Sequence, residues 1–222
     1  MTADIPALLQ RVEALEKKRF ACPHDDVVID EQMRRARLAV EQASLYSTNW
    51  KWVAKEYYTW PLAGRAKALG APSTDYLCKS LLMENRKAPE EKDTQDPTNP
   101  RFVLVVLQYE ATLDTKKLIN AIRALRPVPD RLDATTDFDI RIASEEDNSR
   151  ITGYDNNAVV PFGLLQPVPI ILSAPIMPLR YFWMGGGHVH LKLRMTVDDF
   201  SKALNPIVAD ISQPRTSSDP EP

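Results

Sequence analysis

An α+β fold is the class this sequence predicts, and three observations predict it. Strand-like and helix-like periodicities both occur, and strand candidates dominate the second half. No repeating strand–helix–strand alternation is present that would build a doubly wound parallel sheet. The chain has 222 residues, 44% of them hydrophobic, which suits one core with an extension attached.

The elements follow in order. Ile5, Leu8, Val12 and Leu15 fall at heptad-like spacing among charged residues, predicting an amphipathic helix that reaches about Arg19. Two heptads are too few to define a coiled coil. The loop CPHDD leads to a second helical stretch, IDEQMRRARLAVEQASLY. The aromatic segment NWKWVAKEYYTW then precedes a short helix, PLAGRAKALG, closed by Gly70. In the strand that follows, a period of two places Leu77, Lys79, Leu81 and Met83 on one face and Cys78, Ser80 and Leu82 on the other. RKAPEEKDTQDPTNP reads as an exposed loop joining that strand to RFVLVVLQY in the same sheet.

Asp114 caps the helix TKKLINAIRALRP, with Leu118, Ile119, Ile122 and Leu125 as its stripe. DFDIRIA alternates as a half-buried strand, and VPIIL, LRYFWM and VHLKLRM are further strands. Thr196 opens a last helix, VDDFSKAL, and the tail SQPRTSSDPEP is polar and proline-rich enough to predict disorder.

The formal net charge of -2 excludes a protein that coats nucleic acid through its overall field and leaves local contacts open. Cys22 and Cys78 match no zinc spacing and read as reduced thiols. The first residues lack the pattern of a signal peptide, and no segment approaches the roughly 18 apolar residues of a membrane span. The expectation is a soluble, cytoplasmic protein without membrane contact.

The sequence contains no GxSxG elbow, HExxH, Walker phosphate loop or GxGxxG after a strand. His188 and His190 share a strand face, but two ligands without a nearby third make no metal centre, so no metal or cofactor is expected. Five of the seven glycines lie between Gly153 and Gly187. In the first cluster, ITGYDNNAVVPFG, Asn156 or Asn157 can take a positive φ otherwise left to glycine, turning backbone N–H groups toward a ligand or simply making a tight turn. In the second, FWMGGGHVH, Gly185, Gly186 and Gly187 let something approach the backbone closely. Lys79 either snorkels from its apolar face or serves a function.

These residues, taken in order, resemble the YbaK and prolyl-tRNA-synthetase-associated domain family of aminoacyl-tRNA deacylases. The anchors are RAKALGAPSTDYLCKSLLMEN, FVLVVLQYEATLDTKKLINAI, TGYDNNAVVPFGLL, PIILSAP, GGGHVHLKL and DDFSKALNPIVADIS. The resemblance implies a mostly antiparallel, barrel-like mixed sheet flanked by helices over residues 49–212. Residues 1–48 are then a helical extension and 213–222 a disordered tail.

It also implies that Lys79 is the functional lysine of the cleft. Gly153, Tyr154, Asn157, Ala158, Pro161, Phe162 and Gly163 would form the substrate-binding loop and its flanks. Gly185, Gly186, Gly187 and His190 would line the opposite wall. Two positions depart from the family pattern: Asn157 replaces the usual glycine of the loop, and His190 stands where an acidic residue is frequent.

The implied reaction is hydrolysis in trans of mischarged tRNA, Ala- or Cys-tRNA(Pro) foremost. Lys79 would supply positive charge, and backbone N–H groups near Asn157 and Ala158 would hold the aminoacyl carbonyl. The implied partner is the tRNA acceptor end. A rival expectation is an interaction module whose N-terminal helices bind a synthetase or synthetase complex.

Overall fold

The computed structural model describes residues 4–89 and 96–216. Its elements run α1 (Ile5–Phe20), α2 (Glu31–Gln42), β1 (Asn49–Trp52), α3 (Leu62–Leu69), β2 (Cys78–Asn85), β3 (Phe102–Gln108), β4 (Ala111–Leu113) and α4 (Thr115–Arg123). They continue with β5 (Ile140–Ile142), α5 (Glu145–Thr152), β6 (Ile170–Ser173), β7 (Tyr181–His188), β8 (Leu191–Thr196), α6 (Val197–Leu204), β9 (Ile207–Ala209) and β10 (Ser212–Pro214). The mixed α+β class holds. Strands β5-β2-β3-β6-β9 form one sheet and β1-β8-β7 a second, while β10 pairs with β4. Pairing is antiparallel except at β3–β6 and β6–β9.

The barrel-like part of the expectation is corrected. Among the described residues the two main sheets meet at an isolated parallel bridge, Leu77 to Trp183, and do not close into a barrel. The edge strands β5 and β9 are three residues each, too short to carry a ladder onward around a circumference.

Strand β3 is buried along its whole length, because both faces of the larger sheet are covered. On one face Leu82, Leu104, Val106 and Leu172 pack with Phe182, Met184, Leu193 and Met195 of the smaller sheet and with Ala36, Val40 and Phe200. On the other face Met83, Val103, Val105 and Ile171 meet Leu118 and Ile122 of α4. A satellite cluster of Val53, Tyr57, Ala66, Leu69, Leu77 and Trp183 covers the back of the smaller sheet.

Capping explains most helix starts. The side chains of Asp30, Asp114 and Thr196 each accept a backbone N–H in the first turn of α2, α4 and α6. Gly70 ends α3 at φ 70°. Helix α4 stops at Arg123, shorter than its pattern suggests, because Pro127 disfavours helical geometry just beyond it, and Leu125 is left exposed.

Two N- and C-terminal expectations read differently in three dimensions. The apolar stripe of α1 exists but faces solvent, with Ile5 at 65% and Leu15 at 60% exposure. At the other end, Ser212–Pro214 pairs with Ala111–Leu113, so the chain there is a strand. Residues 217–222, the rest of the expected tail, lie outside the described residues, as does 90–95 of the expected charged loop.

Candidate active site

The start of β2 carries Lys79 to the mouth of a cleft of about 440 Å³. Its walls are Lys79, Ser80, Leu81 and Leu82 of β2, Tyr109 after β3, Ile142 and Ala143 at the end of β5, Asn148 of α5, Asn156, Asn157 and Val159 of the following loop, Gly185 of β7, and Arg215. Lys79 is half-buried, and its ammonium lies 5.5 Å from the centre of the Tyr109 ring, within cation–π range. Among the described lining residues, Lys79 and Arg215 carry the charge, and neither a carboxylate nor a histidine lines the cleft. A similar-sized depression lies beside Glu84, Arg101, Asp147 and Arg150, where Arg101 pairs with Glu84 and Arg150 with Asp147.

The loop facing Lys79 is shaped by the backbone. Asn157 has φ 64°, the left-handed conformation usually reserved for glycine. The turn closes with the Ala158 N–H donating to the Asp155 carbonyl at 3.0 Å, which commits that donor to the loop itself. The Gly187 N–H donates to the Ala158 carbonyl at 3.1 Å, strapping the loop to β7. A Cβ at Gly185 would sit 2.6 Å from the Val159 carbonyl oxygen, so glycine there admits the loop's own backbone.

Helix α2 holds the same loop from outside. Arg35 Nε donates to the Gly163 carbonyl at 2.7 Å, its Nη2 donates to the Gly153 carbonyl, and the guanidinium lies 4.8 Å from the Tyr154 ring centre. The Asp155 N–H donates to Gln32 Oε1 at 3.0 Å. Tyr154 is fully buried, its hydroxyl donating to the Phe162 carbonyl at 2.6 Å, and burial pushes that phenol up to about 12.

A family model for the aminoacyl-tRNA editing domain matches residues 62–203, more than half of the chain. The chain belongs to this family. Among solved structures, one proposed to be a trans-editing enzyme for prolyl-tRNA synthetase is 19% identical over 83% of this chain and 99% of its own, with a TM-score of 0.64. A scaffold used in epitope grafting by computational design is 18% identical over 84% of this chain and 100% of its own, TM-score 0.63. A hypothetical protein is 18% identical over 81% and 99%, TM-score 0.59. At these identities the likeness shows the fold alone. No curated protein matches.

In this editing domain the residues singled out from sequence are distributed as follows. Lys79, Asn157 and Gly185 line the cleft, with Ala158 buried immediately behind Asn157. Gly153, the C-cap of α5, and Gly163 face Arg35. Phe162 lies in the core against Phe200, Pro161 is buried beside it, and Gly186 packs against Leu191. Gly187, at φ 84°, abuts Ala36 of α2.

His190 lies in the β7–β8 turn rather than on a strand, 5.5 Å from the His188 ring and 5.9 Å from the His24 ring. Its backbone N–H donates to His188 Nδ1, and burial lowers the pKa of both imidazoles. Among the described residues no group of three or more His, Cys, Asp or Glu is placed to hold a metal ion. No described helix is long and apolar enough to cross a membrane.

Sequence reasoning passed over Tyr109, Asn148, Arg215, Arg35, Tyr58 and Lys192. Asn148 donates to the Tyr154 carbonyl at 2.8 Å from within α5, a helix absent from the sequence reading. Its start was legible as Ser144 followed by Glu145, Glu146 and Asp147, with Gly153 as the stop. Lys192 left no signal, since it occupies a polar position in an alternating strand.

Proposed function

We propose that this editing domain is a trans-acting, cytoplasmic aminoacyl-tRNA deacylase, with Ala- or Cys-tRNA(Pro) as its foremost substrates. The observation that carries the reading is the cleft. A lysine ammonium on one wall faces a positive-φ loop on the other, with no carboxylate or histidine among the described lining residues. An aminoacyl ester is activated already, so such a site has to orient it and stabilise the oxyanion that develops. Lys79 supplies the charge, and the backbone at Asn157 positions the aminoacyl carbonyl. Because the Ala158 N–H is committed to Asp155, it is dropped from the donors expected from sequence. Water attacks the carbonyl carbon and gives up a proton, and the bond to the ribose oxygen breaks. That oxygen takes a proton, releasing the amino acid and an uncharged tRNA end.

The test is hydrolysis by the purified chain of proline tRNA charged with alanine, cysteine, serine or proline. Release of the first two, sparing prolyl-tRNA, is expected. Lys79→Ala is expected to reduce the rate at least about 100-fold, in the range for loss of one oxyanion-stabilising group, with an unchanged circular dichroism spectrum. Hydrolysis of none of the four substrates overturns the deacylase reading.

A specific observation favours a second role alongside the first. Ile5, Leu8, Leu9, Val12 and Leu15 of α1 are all more than half exposed, and the helix touches the body through Phe20 and the Arg34–Glu16 pair at its C-terminal half. An isolated helix of this length is marginal in water without a partner for its apolar face. This supports docking of residues 1–48 onto a synthetase or synthetase complex. Deletion of residues 1–15 is expected to abolish co-purification with a synthetase while sparing hydrolysis of minimal acceptor-stem substrates; unchanged co-purification overturns it.

A further inference from the structure

Lys192 is 4% exposed, although the alternation of β8 marks it as an outward position. The segment Tyr57–Thr59 and α3 cover that face. Its ammonium donates to the Tyr58 hydroxyl at 2.7 Å and to the Val189 carbonyl at 2.9 Å, and lies 4.5 Å and 5.3 Å from the Tyr58 and Tyr57 ring centres. The Tyr58 hydroxyl donates in turn to the Asn157 carbonyl at 3.3 Å. One buried cation is thus linked, through Tyr58, to the loop wall of the cleft.

We propose that Lys192 is a positioning residue which, while charged, orients the Tyr58 hydroxyl so that its proton holds the Asn157 carbonyl and keeps the loop facing Lys79. The inference rests on the deacylase reading. An ammonium has donors and no lone pair, so the Tyr58 oxygen accepts from it and keeps its own proton for Asn157. A neutral amine has a lone pair and accepts the Tyr58 proton, and the loop carbonyl then loses its donor.

Burial, reinforced by the nearby Arg65 guanidinium, lowers Lys192 to about 7, which brings this reversal within an accessible pH range. The groups around Lys192 are Tyr57 and Tyr58 from the covering segment, Arg65 from α3, Cys78 from β2 and Tyr109 after β3. His188 and His190 lie on its own hairpin, and the exposed Lys51 stands opposite on β1. Burial raises the three phenols and the Cys78 thiol, so these groups hold their neutral forms while Lys192 titrates, and it lowers both imidazoles, away from the charged form.

The test compares the full-length chain, Lys192→Met, Tyr58→Phe and the double variant on Ala-tRNA(Pro) from pH 6 to 9, corrected for spontaneous ester hydrolysis. Wild-type kcat/KM is expected to fall as pH rises through about 7. Each single variant is expected to be about tenfold slower at pH 6, as for loss of one hydrogen bond, with the double variant no slower than either. Lys192→Met is expected to lose the pH dependence. Multiplying losses, or a wild-type profile in Lys192→Met, overturn the proposal. Hydrogen exchange of the 155–159 amides, corrected for intrinsic rate, reads the loop without any substrate. In wild type, protection of these amides is expected to fall through the same pH window, and in Tyr58→Phe it is expected to be low throughout. Identical exchange profiles in wild type and both variants overturn the proposal even where no tRNA is hydrolysed. Hydrolysis of no tRNA by wild type, with exchange as expected, overturns the deacylase reading alone.

Discussion

At Asn157, where the resemblance implies a glycine, the backbone takes the geometry a glycine would adopt. Left-handed geometry costs most residues about 1–2 kcal/mol, while asparagine tolerates it through local hydrogen bonding. Asn157→Gly is therefore expected to stay within about 0.5 kcal/mol of wild type in urea denaturation, and Asn157→Val to lose about 1–2 kcal/mol. The sequence left Asn156 and Asn157 as equal candidates for this conformation. The resemblance pointed to the second, and the loop, packed on Gly185 and Gly187, takes the positive φ there.

Lys192 yields a prediction of different sign. Its folded value of about 7 lies below the ordinary 10.5, so between those values the unfolded chain holds a proton that the folded chain lacks. Stability then rises with pH across that window, and the penalty for a buried charge is complete below it. Lys192→Met is accordingly expected to raise the melting temperature most at pH 6 and progressively less toward pH 10, measured by calorimetry. A variant less stable than wild type at pH 6 contradicts the assignment of Lys192 as a costly buried cation.

Among the elements, α2 shows why helical periodicity does not reveal a helix's role. Sequence reading placed it in an extension, yet Ala36 and Val40 are in the main core and Arg35 ties both ends of the cleft loop. Arg35→Ala removes two charge-assisted hydrogen bonds and a cation–π contact. It is expected to destabilise by about 2–4 kcal/mol and raise KM for mischarged tRNA more than it lowers kcat. Helix α1 behaves differently, because residues before Glu16 are exposed on every face. Deleting 1–15 is expected to leave the melting temperature within about 2 °C, since surface segments without buried contacts contribute little. Helix α5 was missed because its apolar content is low: Ile151 and Thr152 are buried at its end while its first turn is acidic and exposed. Its capping signature was present in the sequence, but hydrophobic periodicity outweighed it.

At the scale of the molecule, the helices and strands read from periodicity are largely those observed, because long apolar runs and caps act locally. Strand β3, apolar from Phe102 to Leu107, reads as a strand because nothing polar interrupts that run, and its burial on both faces makes it the centre of the larger sheet. The shared core of α2 with both sheets predicts one cooperative unfolding transition, checked by the ratio of van't Hoff to calorimetric enthalpy. Two separated transitions would sink the idea that α2 folds with the editing domain.

By itself the sequence determined the α+β class, most element boundaries, the family resemblance and the choice of Lys79, since each depends on local pattern or on the order of motifs. Tertiary structure decided that the sheets stay open, that the α1 stripe faces solvent, and that Lys192 is buried while Ile5 is not. The reason is physical: periodicity reports which side chains share a face, whereas burial depends on which element, distant in sequence, comes to cover that face.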